Sequence, residues 1–395
     1  MCAVGALAES RCAHLYCSRV KPAPFTPELK CESPIGGPVW QRGRVWLWIG
    51  VLAWVVPMIA ITVGVLNRAP GVRSLDPVYR WGVEAWRVHL DLYLGYGDGY
   101  IHRCMQPYSR FLQPKMGLEY LYPPSFLMLY RPFVLVPVPW GEILWRCAGA
   151  GCMAALLLRL MRVQGRAWNN FDFLLLSIGV LPVSLGAMQG GQANVMIAVC
   201  LLGAALAFTQ SAPMRAGLWL AVGLGIKPFM LAPIGLAALL FPASVPGALL
   251  GALVVFGAPF LTAPTDYVLD QYVLFARNTL GPCMSAQDDR FADINGLLRM
   301  FDAPMLGSLS SVVRALSGVA FAAWMLRIRG RLFRTDAAMV WLAASAGYLM
   351  LFNPMTEANS YCILSVPMVL FAWRWIDAGR PAVGWGCFLS LMGMG

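Results

Sequence analysis

Charge is what this chain has least of. Only 12% of its 395 residues are Asp, Glu, Lys or Arg, with 19 acidic against 30 basic, where soluble domains carry about 25%. Histidine is nearly absent too, with three in all; His89 and His102 alone lie beyond the N-terminal segment, and no Ser/His/Asp set is suggested. There is no P-loop, no GxGxxG turn and no HExxH pair, which leaves nucleotide-fuelled and zincin chemistry without support. The N-terminus lacks the basic, then apolar, then small pattern of a signal peptide. Cysteine is present, eleven in number, but never as CxxC. The irregular spacing of Cys2, Cys12, Cys17 and Cys31 around His14 argues against a zinc site. Most other cysteines fall in apolar runs and read as small core residues. A disulfide between Cys104 and Cys283, in two expected outer loops, stays open.

What fills the chain instead is hydrocarbon. Hydrophobic residues make up 59% and the mean hydropathy is +0.63. Apolar runs of about 16 to 22 residues recur between polar or Pro/Gly breaks, so the expected fold class is an all-α polytopic membrane protein. The net charge of +11 reports topology before anything else; nucleic-acid binding would want a basic soluble domain, and none can be cut out. Residues 1–44 read as a disordered cytoplasmic tail and 45–395 as one transmembrane domain.

The basic residues set the expected sidedness. A first span over 45–66 leads outward into a long external loop, 67–122. The run "YPPSFLMLYRPFVLVPVPW", broken by five prolines, reads as a juxtamembrane or re-entrant segment. The chain then descends to Arg159, Arg162 and Arg166, rises over 171–188 to "MQGGQANV", and descends over 195–208 to Arg215. Two short segments meet at Lys227 and Pro228, and 245–261 climbs to a second external loop, 263–304. From there 305–325 descends to Arg327, Arg329, Arg331 and Arg334; 337–352 climbs to "NPMTEANSY"; 361–375 descends to Arg374 and Arg380. A final apolar run from Pro381 is too short to span. Short basic clusters thus share one side and polar patches the other.

Six patches face outward. In "SLDPVYRWGVEAWRVHLDLY" the spacing of Tyr79, Val83, Trp86 and Leu90 predicts an amphipathic helix on the membrane surface. Asp76, just before Pro77, reads from residue type as its N-cap, or alternatively as a catalytic carboxylate at the membrane–water boundary. Glu119, Tyr120 and Tyr122 return the loop to the membrane, where tyrosines are commonly anchors. Gln189, Gln192 and Asn194 sit in a Gly-bearing turn that suits hydroxyl-rich ligands, although capping accounts for Asn194 equally well. Lys227 is a lone ammonium in an apolar run; it either snorkels to water or meets an anion. Arg277, Asn278, Arg290, Asp293, Asn295 and Arg299 populate the second loop. Asn353, Glu357, Asn359 and Tyr361 close the set. Carboxylates, amides, aromatics and cations on one face suit a ligand that is sugar, phosphate and lipid at once.

The ordered series "DPVYRWGVEAW", "LDLY", "YLYPPSFLMLYRPF", "GGQANV", "GLGIKPF", "DINGLLRM" and "FNPMTEANSY", over roughly residues 45–375, resembles glycosyltransferase family 87, the polyprenyl-phosphate-mannose-dependent mannosyltransferases of the GT-C superfamily. The resemblance implies a GT-C-like multi-helix bundle with about ten to twelve membrane helices. It also implies amphipathic juxtamembrane helices in the first loop and an active site on the external (periplasmic) face of the plasma (inner) membrane. The implied reaction is inverting transfer of one hexose, usually mannose, from a polyprenyl-phosphate donor to a glycan, polysaccharide or glycolipid acceptor. Asp76 matches the general base. The leaving phosphate needs positive charge rather than an acid, and Lys227 is the first choice, with Arg80, Arg277 and Arg299 as helpers. Tyr79, Tyr122, Gln189, Gln192, Asn194, Asn295, Asn353, Glu357 and Asn359 would bind substrate. The expectation is that neither a metal nor another cofactor is needed, because the donor carries one phosphate. The stretch "GYIHRCMQPYSRFLQPKMG" is longer and more basic than the family pattern and bears on acceptor choice.

Two readings compete. A transporter or flippase of lipid-linked saccharides would also need an amide-rich amphipathic cavity, but would put polar residues deeper in its helices and show inverted halves, and no such repeat is seen. An O-antigen ligase or polymerase would carry a larger, arginine-rich late loop than 263–304.

Overall fold

The computed structural model describes residues 43–67, 74–93, 120–163, 169–280, 293–303, 307–353 and 356–394. Residues 1–42 of the expected tail (1–44), most of the first loop's second half with Cys104, His102 and Glu119, and residues 281–292 with Cys283 and Arg290 lie outside them. Among the described residues the regular structure is helical throughout. In chain order the helices are α1 (Arg44–Asn67), α2 (Asp76–Arg87), α3 (Pro124–Val134), α4 (Trp140–Val163), α5 (Asn170–Gln189), α6 (Asn194–Thr209), α7 (Pro213–Ile226) and α8 (Leu231–Leu240). They continue with α9 (Val245–Gly257), α10 (Thr265–Leu274), α11 (Ile294–Arg299), α12 (Gly307–Ile328), α13 (Arg334–Phe352), α14 (Cys362–Asp377) and α15 (Pro381–Met394).

At the centre stands α6, in which every residue but Met196 and Thr209 is buried. Its sequence, NVMIAVCLLGAALAFT, is apolar all round after the first residue, and a helix without a polar face is stable only when packed on all sides. Helices α4, α7, α13 and α14 pack against it. Further out, α1 lies along α5, pinned by Trp54 Nε1 donating to Ser177 Oγ at 3.0 Å. In α1 and in Leu309–Ile328 only 17% of the most apolar stretch is buried, so their hydrocarbon faces outward, as lipid-contacting helices require. Helices α7 and α9 cross closely, with the Gly217 and Gly247 Cα atoms placed against the backbone of the facing helix.

Among the described residues six helices are able, by length and composition, to cross a membrane: Arg44–Asn67, Trp140–Val163, Asn170–Gln189, Pro242–Leu261, Leu309–Ile328 and Arg334–Phe352. That is fewer than the ten to twelve expected from the resemblance. The difference lies in shorter apolar helices such as Asn194–Thr209, Pro213–Ile226 and Pro228–Leu240. At about 1.5 Å rise per residue they fall short of a hydrocarbon layer of about 30 Å.

Helix direction separates two ends of the bundle. Arg374 at the end of α14 pairs with Asp336 at the start of α13 at 2.9 Å, among the helix ends that carry Arg327, Arg329 and Arg334. The starts of α4 and α6 and the ends of α5 and α7 lie at the other end, where the polar patches gather.

The first-loop helix departs from expectation. It stops at Arg87, before Leu90, and His89 turns the chain in the left-handed region at φ 56°. The stripe Tyr79, Val83 and Trp86, expected to lie on the membrane surface, is buried inside the protein, and Val78, Arg80 and Trp81 are buried too. Rather than floating at a surface, α2 is enclosed between α3 and the α10 region. Trp86 Nε1 donates to Thr262 Oγ1 at 3.0 Å, Tyr267 to the Leu90 carbonyl at 2.7 Å, and the Leu92 N–H to Gln271 Oε1 at 2.9 Å.

Candidate active site

Pro228 cannot continue a helix through its missing N–H, and α7 ends at Ile226. Lys227 is left in an extended conformation (φ −146°, ψ 129°) before a single 3-10 turn, Pro228–Met230. The side chain is half-buried, its Nζ donating to Asn194 Oδ1 at 2.8 Å and lying 5.6 Å from the Tyr122 ring centroid and 5.4 Å from that of Phe229. Ser125 Oγ, at the start of α3, donates to the Gly225 carbonyl at 2.8 Å and fastens this break to the Tyr-Pro-Pro segment.

Asn194 is not a cap. It is the first residue of α6, after a capping position held by Ala193 with no side-chain cap bond. Its Nδ2 donates to Gln192 Oε1 at 2.8 Å and to Ser360 Oγ at 3.0 Å. Gln192 Nε2 donates in turn to Glu357 Oε2 at 3.2 Å. Asn359 places its Oδ1 against Gly186, where a Cβ would come within 2.8 Å. Four separate sequence patches therefore meet in one cluster, and its last member, Glu357, is exposed.

Asp76 sits in a second cluster. Helix α2 begins at Asp76 itself, and the capping position is Leu75, so the N-cap reading does not hold. The carboxylate is buried: Oδ1 accepts from the Tyr130 hydroxyl, Oδ2 faces Arg80 Nε at 3.5 Å, and the backbone N–H donates to Ser74 Oγ at 3.2 Å. Ser74 Oγ donates to Glu142 Oε1 at 2.7 Å.

A wall of tyrosines connects the clusters. The Tyr79 and Tyr122 hydroxyls lie 2.9 Å apart, and the Ala193 N–H donates to the Tyr79 oxygen at 3.2 Å. Tyr79 meets the rings of Tyr122, Phe126 and Tyr130 edge-on at 4.9 to 5.1 Å, the favoured geometry for aromatic pairs. Tyr93 donates to the Tyr122 carbonyl at 2.6 Å. Burial, then the neighbouring Tyr122, pushes the Tyr79 hydroxyl well above its ordinary value; burial, then the Asp76 carboxylate, does so for Tyr130. Both stay protonated and act as neutral hydrogen-bonding groups.

Other expected site residues are placed elsewhere. The Arg80 guanidinium is engaged locally: it donates to the Val134 carbonyl at 3.1 Å, the Phe133 carbonyl at 3.5 Å and the Val136 carbonyl at 3.4 Å, besides facing Asp76. It caps the end of α3, whose last carbonyls lack helix partners. Arg277 is exposed on the turn after α10; the Asn278 side chain lies outside the described residues. Gln189 is exposed, and it is its carbonyl, not its amide, that is engaged. Asn353 caps α13, with the Thr356 hydroxyl donating to its carbonyl at 3.0 Å. Asn295 is buried and Arg299 half-buried on α11, whose start is capped by Asp293, itself 2.9 Å from Arg314. Burial, then Asp293, raises the Tyr361 hydroxyl, so α11 lies beside the turn that carries Asn359.

Sequence reasoning missed Tyr130, Ser74, Ser360, Glu142 and Arg146. For the last two a signal existed: they are the only charges in the first half of an otherwise apolar helix, spaced i,i+4, and ionisable residues in such runs are costly unless paired.

The model of glycosyltransferase family 87 matches residues 120–354, more than half of the chain. The match takes in Tyr122, Gln192, Asn194 and Lys227; Asp76 and Glu357 lie outside it. No curated protein matches the chain, and no solved structure does.

Proposed function

The chain belongs to glycosyltransferase family 87, and on that premise we propose that it moves a hexose, mannose, from a polyprenyl-phosphate carrier to a glycan or glycolipid acceptor, at the external face of the plasma membrane. Membership of a glycosyltransferase family leaves the transport reading without support. The observation that carries the proposal is the seat of Lys227. A neutral amide orients the ammonium at 2.8 Å at a helix break, beside amides and an exposed carboxylate fit for sugar hydroxyls.

In the proposed reaction the acceptor oxygen attacks the anomeric carbon from the face opposite the phosphate, with inversion, and one carboxylate suffices as base. Asp76 takes the acceptor proton. Tyr130 covers it, so the acceptor hydroxyl reaches Asp76 when that ring swings aside. The bond to the carrier oxygen breaks and leaves a phosphate monoester, whose growing charge Lys227 stabilises. One phosphate calls for one such cation, so the transfer is proposed to proceed without a metal or other cofactor. Gln192, Asn194, Glu357 and Asn359 are assigned to sugar or acceptor hydroxyls. Arg277, Arg299, Asn295, Gln189 and Asn353 are given no direct contact.

The test is incubation of membranes containing the protein with labelled polyprenyl-phosphate-mannose, followed by identification of the product and its anomeric configuration. A labelled glycan or glycolipid of inverted configuration is expected. Label that stays on the carrier while the protein is folded would sink the reading.

A further inference from the structure

Two acidic and basic side chains that the reaction above does not use, Glu142 and Arg146, stand between the site's two clusters. They are one turn apart on α4 and paired at 2.7 Å, with their side chains 8% and 1% exposed. A buried pair of this kind is costly to desolvate, and further hydrogen bonds offset that cost. Arg146 Nη2 donates to Ser74 Oγ at 3.0 Å and to the Gln189 carbonyl at 2.9 Å; Nε reaches the same carbonyl at 3.2 Å, and Nη1 donates to the Glu142 carbonyl at 3.1 Å. Ser74 is the hydroxyl that receives the Asp76 N–H. Gln189 opens the turn that runs through Gln192 to Asn194.

The neighbouring contacts repeat the pattern. The Leu75 N–H donates to the Gly190 carbonyl at 3.0 Å, and Trp145 Nε1 donates to the Gly191 carbonyl at 2.9 Å. Three successive carbonyls, of residues 189, 190 and 191, are thus held by Arg146, by the segment leading into Asp76 and by Trp145. Gly191, in the left-handed region at φ 64°, has its Cα close enough that a Cβ would stand 3.0 Å from the Arg146 guanidinium carbon.

We propose that Arg146, charged and oriented by Glu142, is the positioning residue that fixes the start of the Asp76 helix against the turn carrying Gln192 and Asn194, and so sets the base in register with the Lys227 seat. It touches no reacting atom. Its kinetic consequence rests on the transfer reading; its structural consequence does not.

Arg146→Lys keeps the charge but replaces a planar fork of five donors with one ammonium of three, too few for Ser74 Oγ, the Glu142 carboxylate and carbonyl, and the Gln189 carbonyl together. In full-length protein, hydrogen exchange should rise together in peptides covering 74–80 and 186–195 and stay unchanged in α12 and α13. In the same preparation kcat should fall by about tenfold or more while the donor KM stays within about threefold, since misplacement near 1 Å can cost about a hundredfold. Glu142→Gln, which keeps an acceptor for Ser74, should fall between wild type and Arg146→Lys. If Arg146→Lys does not fold, Ser74→Ala decides, by raising exchange over 74–80 alone with a loss in kcat. Exchange that rises in every helix alike, in only one of the two segments for Arg146→Lys, or in neither would overturn the proposal, as would an unchanged kcat in an enzyme that transfers sugar. Failure of the wild type to transfer sugar would strike the functional reading, and the exchange result would still decide the clamp.

Discussion

The ammonium of Lys227 lies 2.8 Å from Oδ1 of Asn194, the first residue of the most buried helix in the bundle. The lysine is aimed by a group that carries no charge of its own. A carboxylate in the same place would orient it as well and neutralise it. Asn194→Asp should therefore leave the protein folded yet raise the donor KM by about tenfold or more, because the phosphate must then compete with an anionic partner rather than a neutral amide, and bonds to charged groups are worth roughly 1.5–3 kcal/mol. Lys227→Met should lower kcat/KM by about a hundredfold or more, the scale seen when one preorganised donor to a developing anion is removed. Steady-state kinetics over a donor series checks both, and wild-type values in Lys227→Met would reduce that residue to a snorkelling lysine.

Asp76→Asn is nearly isosteric and can still accept from the Tyr130 hydroxyl. It should keep the thermal midpoint close to wild type while transfer falls by about a hundredfold to ten-thousandfold, the range expected for loss of a general base. Transfer that persists in the folded variant would remove Asp76 from the mechanism. Asp76→Ala is a poorer probe, since it also strands buried Arg80 without its 3.5 Å partner and invites a stability loss of about 3–5 kcal/mol.

The lysine was the most legible feature of the sequence, because a single charge in an apolar run has few explanations and Pro228 marks the helix break. The helical class and the outer lipid-facing helices follow from hydropathy in the same direct way. Asp76 was legible as a helix start but not as a buried group: residue type alone favours a solvent-facing cap, and its burial depends on Tyr130, 54 positions away. Arg80 was not legible in the same way. An arginine near a presumed phosphate site invites that role, and its bonds to the Phe133, Val134 and Val136 carbonyls, at and just past the end of α3, depend on a fold the sequence does not display. Span number was less legible, because apolar runs read alike in the sequence whether they form long helices or, like α6, short and buried ones.

The tyrosine wall makes a prediction about alkaline stability. Tyr79 titrates well above its ordinary value, through burial first and the neighbouring Tyr122 second. The unfolded chain loses that proton near pH 10, while the folded chain keeps it. Above that pH the folded state binds more protons than the unfolded, so stability falls as pH rises; the contribution is complete below pH 10. Tyr79→Phe removes the proton and should flatten the decline of the thermal midpoint above about pH 10, although it lowers the midpoint at neutral pH by giving up the bonds to Tyr122 and Ala193. An equally steep alkaline decline in the variant would show that Tyr79 is not its source.

Gly191 concentrates the backbone demands of the turn in one residue. Its φ of 64° lies in the left-handed region, where a side chain costs roughly 1–2 kcal/mol. A Cβ there would also press on the Arg146 guanidinium at 3.0 Å, so relief by shifting the arginine sacrifices its bonds to Ser74 and Gln189. Gly190, at φ −72°, has no such requirement. Gly191→Ala should thus lower stability by about 2 kcal/mol and transfer activity with it, whereas Gly190→Ala should leave the midpoint close to wild type. Detergent-solubilised thermal unfolding compares the two directly, and equal effects at both positions would mean that neither the backbone conformation nor the guanidinium contact governs this turn.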